Sequence, residues 1–502
     1  MSLSFKFVPL TFLKDQDEIR RQIRNTVILS HFFERNDQTI PLGNLIEGTQ
    51  YGYNASALQS GKNKFLRISD ITDGKVDWET VPFCDCQDED TYLLFKDDIL
   101  IARTGGTTGK SFKIESAPEG AIYAGYLIRI RANQNSLPDF LEVFLNSYSY
   151  WSQIVSLNEG EFRPSVNANK LKDLLLPVCS PDEQSDIVQL SKGDKVYGYE
   201  ELALRIDKAI KEYESSIELI SLIESQKEVV SQLKQSILQE AIQGKLTEDW
   251  RDLRQAQQPP LEPASELLKR IQAEKARLIK EKKIKKEKPL PPITDSEKPF
   301  ELPEGWEWCR LGEICSKTGS GSTPSGGKSI YQNEGIKFIR SQNVYDDGLR
   351  LEDVAFISEQ IHQKMNGTIV RPEDLLLNIT GGSIGRCCIV PKSFDEGNIN
   401  QHVAIIRPFF EFIGYFIHKV ICSPYFQKQI IKAQTGAGRE GLPKNKMDNI
   451  LIGLPEEEEQ KAIVEKVDSL MKKCRALEEE ISQSEQHAQM LMQAVLKEAF
   501  EG

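Results

Sequence analysis

The sequence predicts an α+β protein in which two repeated mixed α/β domains are joined by two long antiparallel coiled-coil helices. Three observations carry that expectation. The chain repeats its own motifs at a near-constant register, each copy mixes strand-type runs with an amphipathic helix, and each copy ends in a long proline-free tract with its apolar residues on one stripe.

The repeat comes first because it sets the architecture. Leu42-Gly43-Asn44-Leu45-Ile46 is answered by Leu311-Gly312-Glu313-Ile314-Cys315 at an offset of 269, and Phe65-Leu66-Arg67 by Phe338-Ile339-Arg340 at 273. Lys96 to Ile101 then matches Pro372 to Leu377, and Thr104-Gly105-Gly106-Thr107-Thr108-Gly109-Lys110 matches Thr380-Gly381-Gly382-Ser383-Ile384-Gly385-Arg386, both at 276. That register persists through Gly160 and Gly436, Arg163 and Arg439, Asn169 and Asn445, Lys170 and Lys446, and Glu183-Gln184 and Glu459-Gln460.

Within each copy, short runs rich in Ile, Val, Phe and Tyr, such as Gly125 to Arg131 and His402 to Arg407, read as strands broken by Gly and Asp turns. An amphipathic helix follows, Phe140 to Leu157 and Phe412 to Gln434, and then a loop leading to Leu174-Leu175-Leu176-Pro177 or Ile450-Leu451-Ile452. Each copy is a mixed α+β domain.

The closing tracts run from Glu200 to Gln243 and from Glu457 to Phe500. In the second, Ile463, Val467, Leu470, Cys474, Leu477, Ile481, Ser484, Ala488, Leu491 and Val495 alternate steps of four and three, a heptad seam. The first has a looser stripe, Leu202, Ile206, Ile210, Tyr213, Ile217, Ile220 and Ile223, then Val230, Leu233 and Ile237. At 1.5 Å per residue each tract is about 65–70 Å long. A heptad seam needs a partner, and the nearest of matching length is the other seam of the same chain, packed antiparallel; an ordinary oligomerising coiled coil is the alternative.

The resulting divisions are a helical N-terminal extension (1–36, with a helix from Asp15 to Phe33), a first domain (37–185), a first long helix (186–250), a linker (251–299), a second domain (300–455) and a second long helix (456–502). In the linker, Glu266 to Lys288 is helix-favouring and basic, with Lys282, Lys283, Lys285 and Lys286 close together, and Pro289, Pro291 and Pro292 end it. Such a run is usually a solvated helix, with contact to phosphates or a partner as the alternative.

Bulk properties narrow the function classes. At 502 residues the chain is too long for one core, and 39% hydrophobic with 27% charged residues is an ordinary soluble composition. No run approaches eighteen uninterrupted apolar residues and Met1 to Leu10 lacks signal-peptide order, so the expectation is a cytoplasmic protein without a membrane partner. Nine cysteines at irregular spacings, including Cys84, Cys86, Cys387 and Cys388, lack a second ligand pair at zinc-site spacing, so no metal is expected. The net charge of −12 argues against indiscriminate coating of nucleic acid, but screening to about 10 Å leaves room for a local cationic face.

Catalytic motifs fail on inspection. Gly109-Lys110-Ser111 ends like a P-loop, yet Thr104 stands where the first glycine belongs, and Gly381 to Arg386 has no Lys-Ser or Lys-Thr ending. Gly436-Ala437-Gly438-Arg439-Glu440-Gly441 matches GxGxxG, but it follows a helical stretch and precedes Leu442-Pro443. Pro259-Pro260 and Pro291-Pro292 are followed by Leu and Ile, unlike a methyltransferase's Pro-Pro-aromatic loop, and no acidic-x-Lys nuclease arrangement follows Pro138-Asp139 or Pro181-Asp182. His31, His362, His402, His418 and His487 are scattered.

What the copies share is the chemistry of DNA contact. Glycine-rich turns let backbone approach a phosphate, Lys neutralises it, Arg pairs in a bidentate way with guanine and Asn with adenine. The candidate set is Arg103, Thr107, Thr108, Lys110, Arg163, Asn169 and Lys170 in the first half, and Ser383, Arg386, Arg439, Lys444, Asn445 and Lys446 in the second. Hairpin glycines with solvated cations are the other reading of each position, and recurrence in both halves favours function.

The duplicated order, the opening Leu302-Pro303-Glu304-Gly305-Trp306-Glu307-Trp308-Cys309-Arg310-Leu311-Gly312-Glu313-Ile314, the Asp-Ile-Leu and Thr-Gly-Gly turns and the Glu-Gln-led helices resemble Type I restriction–modification specificity subunits. Residues 1–36 depart from that pattern. The resemblance implies two target-recognition domains, each reading one half of a split asymmetric site in double-stranded DNA, with the helices setting the spacer. It also implies a non-catalytic chain in complex with two methyltransferase subunits, which carry S-adenosylmethionine, and with restriction/translocase subunits that use ATP and magnesium. A structural coiled-coil scaffold is the alternative from another class.

Overall fold

The computed structural model describes residues 15–35, 38–72, 74–158, 165–255, 261–324, 330–434 and 441–501. The chain divides into two compact units, Met1–Ile223 with Gln483–Gly502, and Glu224–Ser482, so the division falls inside both long helices, Glu200–Ile242 and Glu457–Glu501.

The first unit is built on a four-stranded antiparallel sheet in the order Ile46–Tyr51, Leu127–Ala132, Ile99–Ala102, Ser111–Lys113. A smaller sheet pairs Asn63–Leu66 antiparallel with Phe83–Cys84 and parallel with Ile122–Tyr123. Ile99-Leu100-Ile101-Ala102 is apolar without alternation because both its faces are covered. Ile99 and Ile101 meet the helices around Phe140 and Phe144, while Leu100 and Ala102 meet Leu66 and Tyr123.

The second unit repeats this plan. Its main sheet runs Cys315–Ser320, Val403–Pro408, Leu375–Asn378, Cys387–Ile389, and its smaller sheet adds a fourth strand, Ile369–Val370. An ion pair on a buried carboxylate also repeats: half-buried Arg131 Nε donates to Asp98 Oδ1 at 2.5 Å and Nη2 to Oδ2 at 3.1 Å, and half-buried Arg407 makes the same pair with Asp374 at 2.6 and 2.7 Å. The turn before each carboxylate places a non-glycine residue in the left-handed region, Asp97 at φ +70 and Glu373 at φ +66.

Several expectations need correction. The single amphipathic helix expected in each half is two helices, Pro138–Leu145 with Tyr148–Ser156, and Glu411–Ile421 with Pro424–Gln434. Serine makes the break in both copies: Ser147 Oγ accepts from Tyr150 N and Ser423 Oγ from Phe426 N, N-caps that start a new helix. In the second copy Pro424, which has no N–H, occupies the first position of that new helix.

The linker helix is Ala264–Lys280, so Lys282, Lys283, Lys285 and Lys286 lie beyond it, after a turn with Lys282 at φ +58. It is not simply solvated either. Ala264, Leu267 and Ile271 are buried, and on the short helix before it, Glu248–Gln255, Arg251 pairs with Glu459 and Arg254 with Glu458 at 2.9 Å. Further on, the buried Arg310 guanidinium donates to the Pro291 and Pro292 carbonyls and to Glu297.

The N-terminal helix, Gln16–Arg35, belongs to the first unit's core. Ile23, Val27, Ile28, Leu29 and Phe32 are buried, and Thr26 Oγ1 accepts from Tyr148 N at 2.7 Å.

Each unit contains a piece of both long helices. In the first, Ala209, Ile210 and Ile217 join the same core as Val495, Leu496 and Phe500, and Phe500 stacks on Tyr148 at 4.4 Å. In the second, Lys234 pairs with Glu478 at 2.9 Å. The buried seam is narrower than the sequence stripe: Ser216, Ile223, Val230 and Ile237 are buried on one helix and Val467, Cys474, Ile481 and Ala488 on the other, at heptad steps. Leu233, Leu477 and Leu491 stay exposed, because a pair of helices covers only a thin line on each. No helix among the described residues is long and apolar enough to cross a membrane.

Candidate nucleic-acid interface

The glycine turn forms in both copies by the same hydrogen bonds. In the first, Gly109 N donates to Ala102 O (2.8 Å), Ala102 N to Lys110 O (2.8 Å) and Thr108 N to Gly105 O (3.1 Å). In the second, Gly385 N donates to Asn378 O (2.8 Å), Asn378 N to Arg386 O (2.8 Å) and Ile384 N to Gly381 O (3.0 Å). Gly105, Gly109, Gly381 and Gly385 have φ between +77 and +91, the region glycine enters without steric cost.

The turn is clamped from behind and crossed in front. Tyr150 Oη donates to Gly109 O at 2.7 Å, and Gln427 Nε2 to Gly385 O at 3.0 Å. The loop returning from the helix pair lies across the turn's start: Thr104 bridges Ser165 and Val166 N donates to Arg103 O, as Thr380 bridges Gly441 and Leu442 N donates to Ile379 O. The two sequence-predicted segments thus meet in each unit.

Individual candidates fare differently. Arg103 is exposed, its guanidinium 4.9 Å from the Tyr51 ring centre, and the Tyr51 hydroxyl oxygen accepts from Ala168 N at 3.1 Å. Thr107 and Lys110 are half-buried on the turn, and Thr108 Oγ1 donates to Gly105 O at 2.7 Å. Asn169 is exposed on the short helix Ala168–Lys172, which Asn167 caps. Lys170 points inward: its Nζ donates to Asn158 Oδ1 (2.8 Å) and Ser165 O (3.2 Å), tying together the ends of the returning loop.

In the second unit Ser383 Oγ accepts from Asn378 Nδ2 at 3.1 Å. Arg386 is exposed, its guanidinium 4.8 Å from the Tyr345 ring centre. Lys444 pairs with Asp448 at 2.5 Å and Glu287 at 3.2 Å, and both carboxylates compete with any phosphate for it. Asn445 and Lys446 are exposed on the helix Lys444–Asp448. Arg163 and Arg439, with Gly160 and Gly436, lie outside the described residues, as does the GxGxxG run apart from Gly441.

Sequence reasoning missed the rings beneath the arginines, Tyr51 and Tyr345, since neither lies near its arginine in the chain. A hairpin signal around Asp346-Asp347-Gly348 could have flagged Tyr345. Among the described residues no group of three His, Cys, Asp or Glu side chains could hold a metal ion. Burial pushes the Cys388 thiol up to about 12 and the Cys84 thiol to about 11, so neither is a ready thiolate nucleophile.

Residues 303–484 match the family model of the Type I restriction modification DNA specificity domain. The chain is 35% identical over 251 residues to the Type I restriction enzyme EcoAI specificity subunit of Escherichia coli, covering 49% of this chain and 41% of that protein. It is 32% identical over 285 residues to the EcoEI specificity subunit of Escherichia coli, covering 54% of this chain and 45% of that protein. The chain thus spans less than half the length of these curated relatives. The crystal structure of the HsdS subunit from Thermoanaerobacter tengcongensis aligns with 93% of this chain and 96% of its own at 19% identity, with a TM-score of 0.40. Residues 303–484 thus carry a match to the Type I restriction modification DNA specificity domain, and the chain is similar in sequence to Type I specificity subunits.

Proposed function

We propose that this chain is the sequence-specific DNA-recognition subunit of a Type I restriction–modification complex, each domain reading one half of a bipartite asymmetric site. The observation that carries the reading is the glycine turn crossed by a returning loop, built twice with the same hydrogen bonds but with different side chains displayed. A frame kept constant while its display changes suits two readers of two different half-sites. In this reading Lys110 and Lys446 neutralise phosphates, Asn169 and Asn445 lie at the base edges, and Arg163 and Arg439, outside the described residues, are further candidates for base contact.

The long helices set the unread spacer and dock two methyltransferase subunits; exposed Leu222, Val229, Leu233, Leu477 and Met490 are apolar positions that a docked subunit would cover. The chain performs no catalysis. S-adenosylmethionine belongs to the methyltransferase partners, and ATP and magnesium to the restriction partners.

The test is a domain exchange in the assembled complex. Replacing residues 300–455 by the equivalent domain of a relative should change one half-site of the methylated DNA motif and leave the other intact. An exchange that altered both half-sites together would refute independent reading.

A further inference from the structure

The two domains share the turn but not the place of their best-supported arginine. In the first, Arg103 precedes the turn and lies over Tyr51; in the second, Arg386 follows it and lies over Tyr345. Neither pair has an equivalent in the other domain. Arg103 corresponds to Ile379, which is buried, and Tyr51, paired with Ile128, corresponds to Ser320, paired with Ala404. Arg386 corresponds to Lys110, and Tyr345, second in its hairpin strand, to Thr72.

A role in holding the repeated frame would put such a pair at equivalent positions. Instead, among the described residues, each domain carries one arginine–tyrosine pair whose arginine is exposed and bonded to no protein acceptor, at a different place; the other arginines over tyrosines, Arg129, Arg340 and Arg350, are held by protein acceptors. Among the described residues, neither guanidinium donates a hydrogen bond to a protein acceptor. Stacking on a ring uses the flat face of the guanidinium and leaves its N–H edge open, which is the edge that pairs with guanine O6 and N7. Holding the plane in advance also lowers the entropy lost on binding.

Both rings are themselves held. Tyr51 accepts from Ala168 N, and Tyr345 has Arg350 on it at 5.2 Å, while that second guanidinium is engaged by Asp347 at 2.7 Å. Asp346 Oδ1 accepts from Cys387 N at 2.9 Å, fixing the Tyr345 hairpin to the residue next to Arg386. The carboxylates of Glu478 and Asp468, in the groove beside Arg386, are paired with Lys234 and Lys419.

We infer that each domain discriminates guanine through one arginine oriented by a tyrosine, Arg103 on Tyr51 and Arg386 on Tyr345, placed on opposite sides of the shared turn. The inference rests on the DNA-recognition reading above. Tyr51 and Tyr345 are positioning residues in it.

The test assembles the full chain with its methyltransferase subunits and determines the bound motif by selection from random duplexes. Tyr345→Leu and Arg386→Lys should each relax discrimination at one base pair of one half-site, roughly 5–100-fold. Tyr51→Leu and Arg103→Lys should do the same at one base pair of the other half-site, and Tyr345→Phe, which keeps the ring, should retain the wild-type motif. If a leucine variant fails to fold, the lysine variant of the same pair decides. An unchanged motif in both lysine variants, or a loss of binding uniform across sequences, would overturn the inference and leave the recognition reading standing. A wild-type complex that selected no motif at all would overturn that reading, and the inference with it.

Discussion

The two halves solve one packing problem with different pieces of chain. In the first, the N-terminal helix supplies Thr26 to the start of the second helix of the pair and Arg35 to Glu183, at 3.5 Å. In the second, the end of the first long helix supplies Gln239 to Tyr425 N, and the linker supplies Arg251 to Glu459, the counterpart of Glu183. The N-terminal helix thus does for the first domain what the connecting segments do for the second. What the repeat preserves is a set of sockets, and the segment that fills each socket is free to change.

The largest contrast lies in the ion pair on the buried carboxylate. Asp98 faces Arg131 and also Arg129, 3.7 Å away, whereas Ile405 stands at the position equivalent to Arg129. Asp98→Asn should therefore cost about 3 kcal/mol in urea unfolding and Asp374→Asn about 2 kcal/mol, since the first strands the buried Arg129 as well as the half-buried Arg131 and the second only the half-buried Arg407. Equal costs would show that Arg129 does not depend on Asp98.

The glycine turns differ in what backs them. A Cβ on Gly109 would stand 2.8 Å from the Trp151 ring, while one on Gly385 would meet the end of the flexible Gln427 side chain. Gly109→Ala should cost roughly 2–4 kcal/mol, the left-handed backbone and a rigid clash together, and Gly385→Ala about 1–2 kcal/mol. Thermal unfolding that ranks them the other way would mean the Trp151 ring can shift.

Lys170 and Lys446 occupy equivalent positions but only Lys446 is exposed. Lys170→Ala should lower stability by about 1–2 kcal/mol by stranding its acceptors. Lys446→Ala should leave the melting temperature unchanged and flatten the salt dependence of DNA binding by about 0.9. Identical behaviour of the two would dissolve this distinction.

The smallest effect concerns the start of the second long helix. Burial pushes the Glu456 carboxyl from its ordinary 4.5 up to about 7, although the Glu458 and Glu459 backbone N–H groups pull it down. A carboxyl raised on folding stabilises below its unfolded value and loses that contribution as pH rises through about 7. Between pH 5 and pH 8 the wild-type melting temperature should fall roughly 2–4 °C more than that of Glu456→Gln. Parallel pH profiles would contradict this assignment.

Much of the fold was legible because it is written locally. The tracts Glu200 to Gln243 and Glu457 to Phe500 form helices that end within a residue of those limits, since unbroken 3.6-residue periodicity needs no distant partner. The wider division 186–250 also takes in the end of a separate helix, Pro181–Lys192, and the start of another, Glu248–Gln255. The strands Leu127–Ala132 and Val403–Pro408 were likewise visible as apolar runs. The helix breaks were local too, at Ser147 and Ser423, but a continuous apolar stripe on both sides hid them.

By itself, then, the sequence determined the duplication, the two long helices and the recurrence of a glycine turn and a returning loop in each half, all of which follow from short-range patterns and repetition. That turn and loop meet was decided by the fold. Tertiary structure alone decided which cations are displayed. Lys170 turns inward to Asn158, Lys444 meets Glu287 from the linker, and Arg103 and Arg386 are raised on rings that lie 52 and 41 positions earlier in the chain. A charge finds its partner through space, and Coulomb attraction, desolvation and ring contact depend on distances that only the folded chain defines.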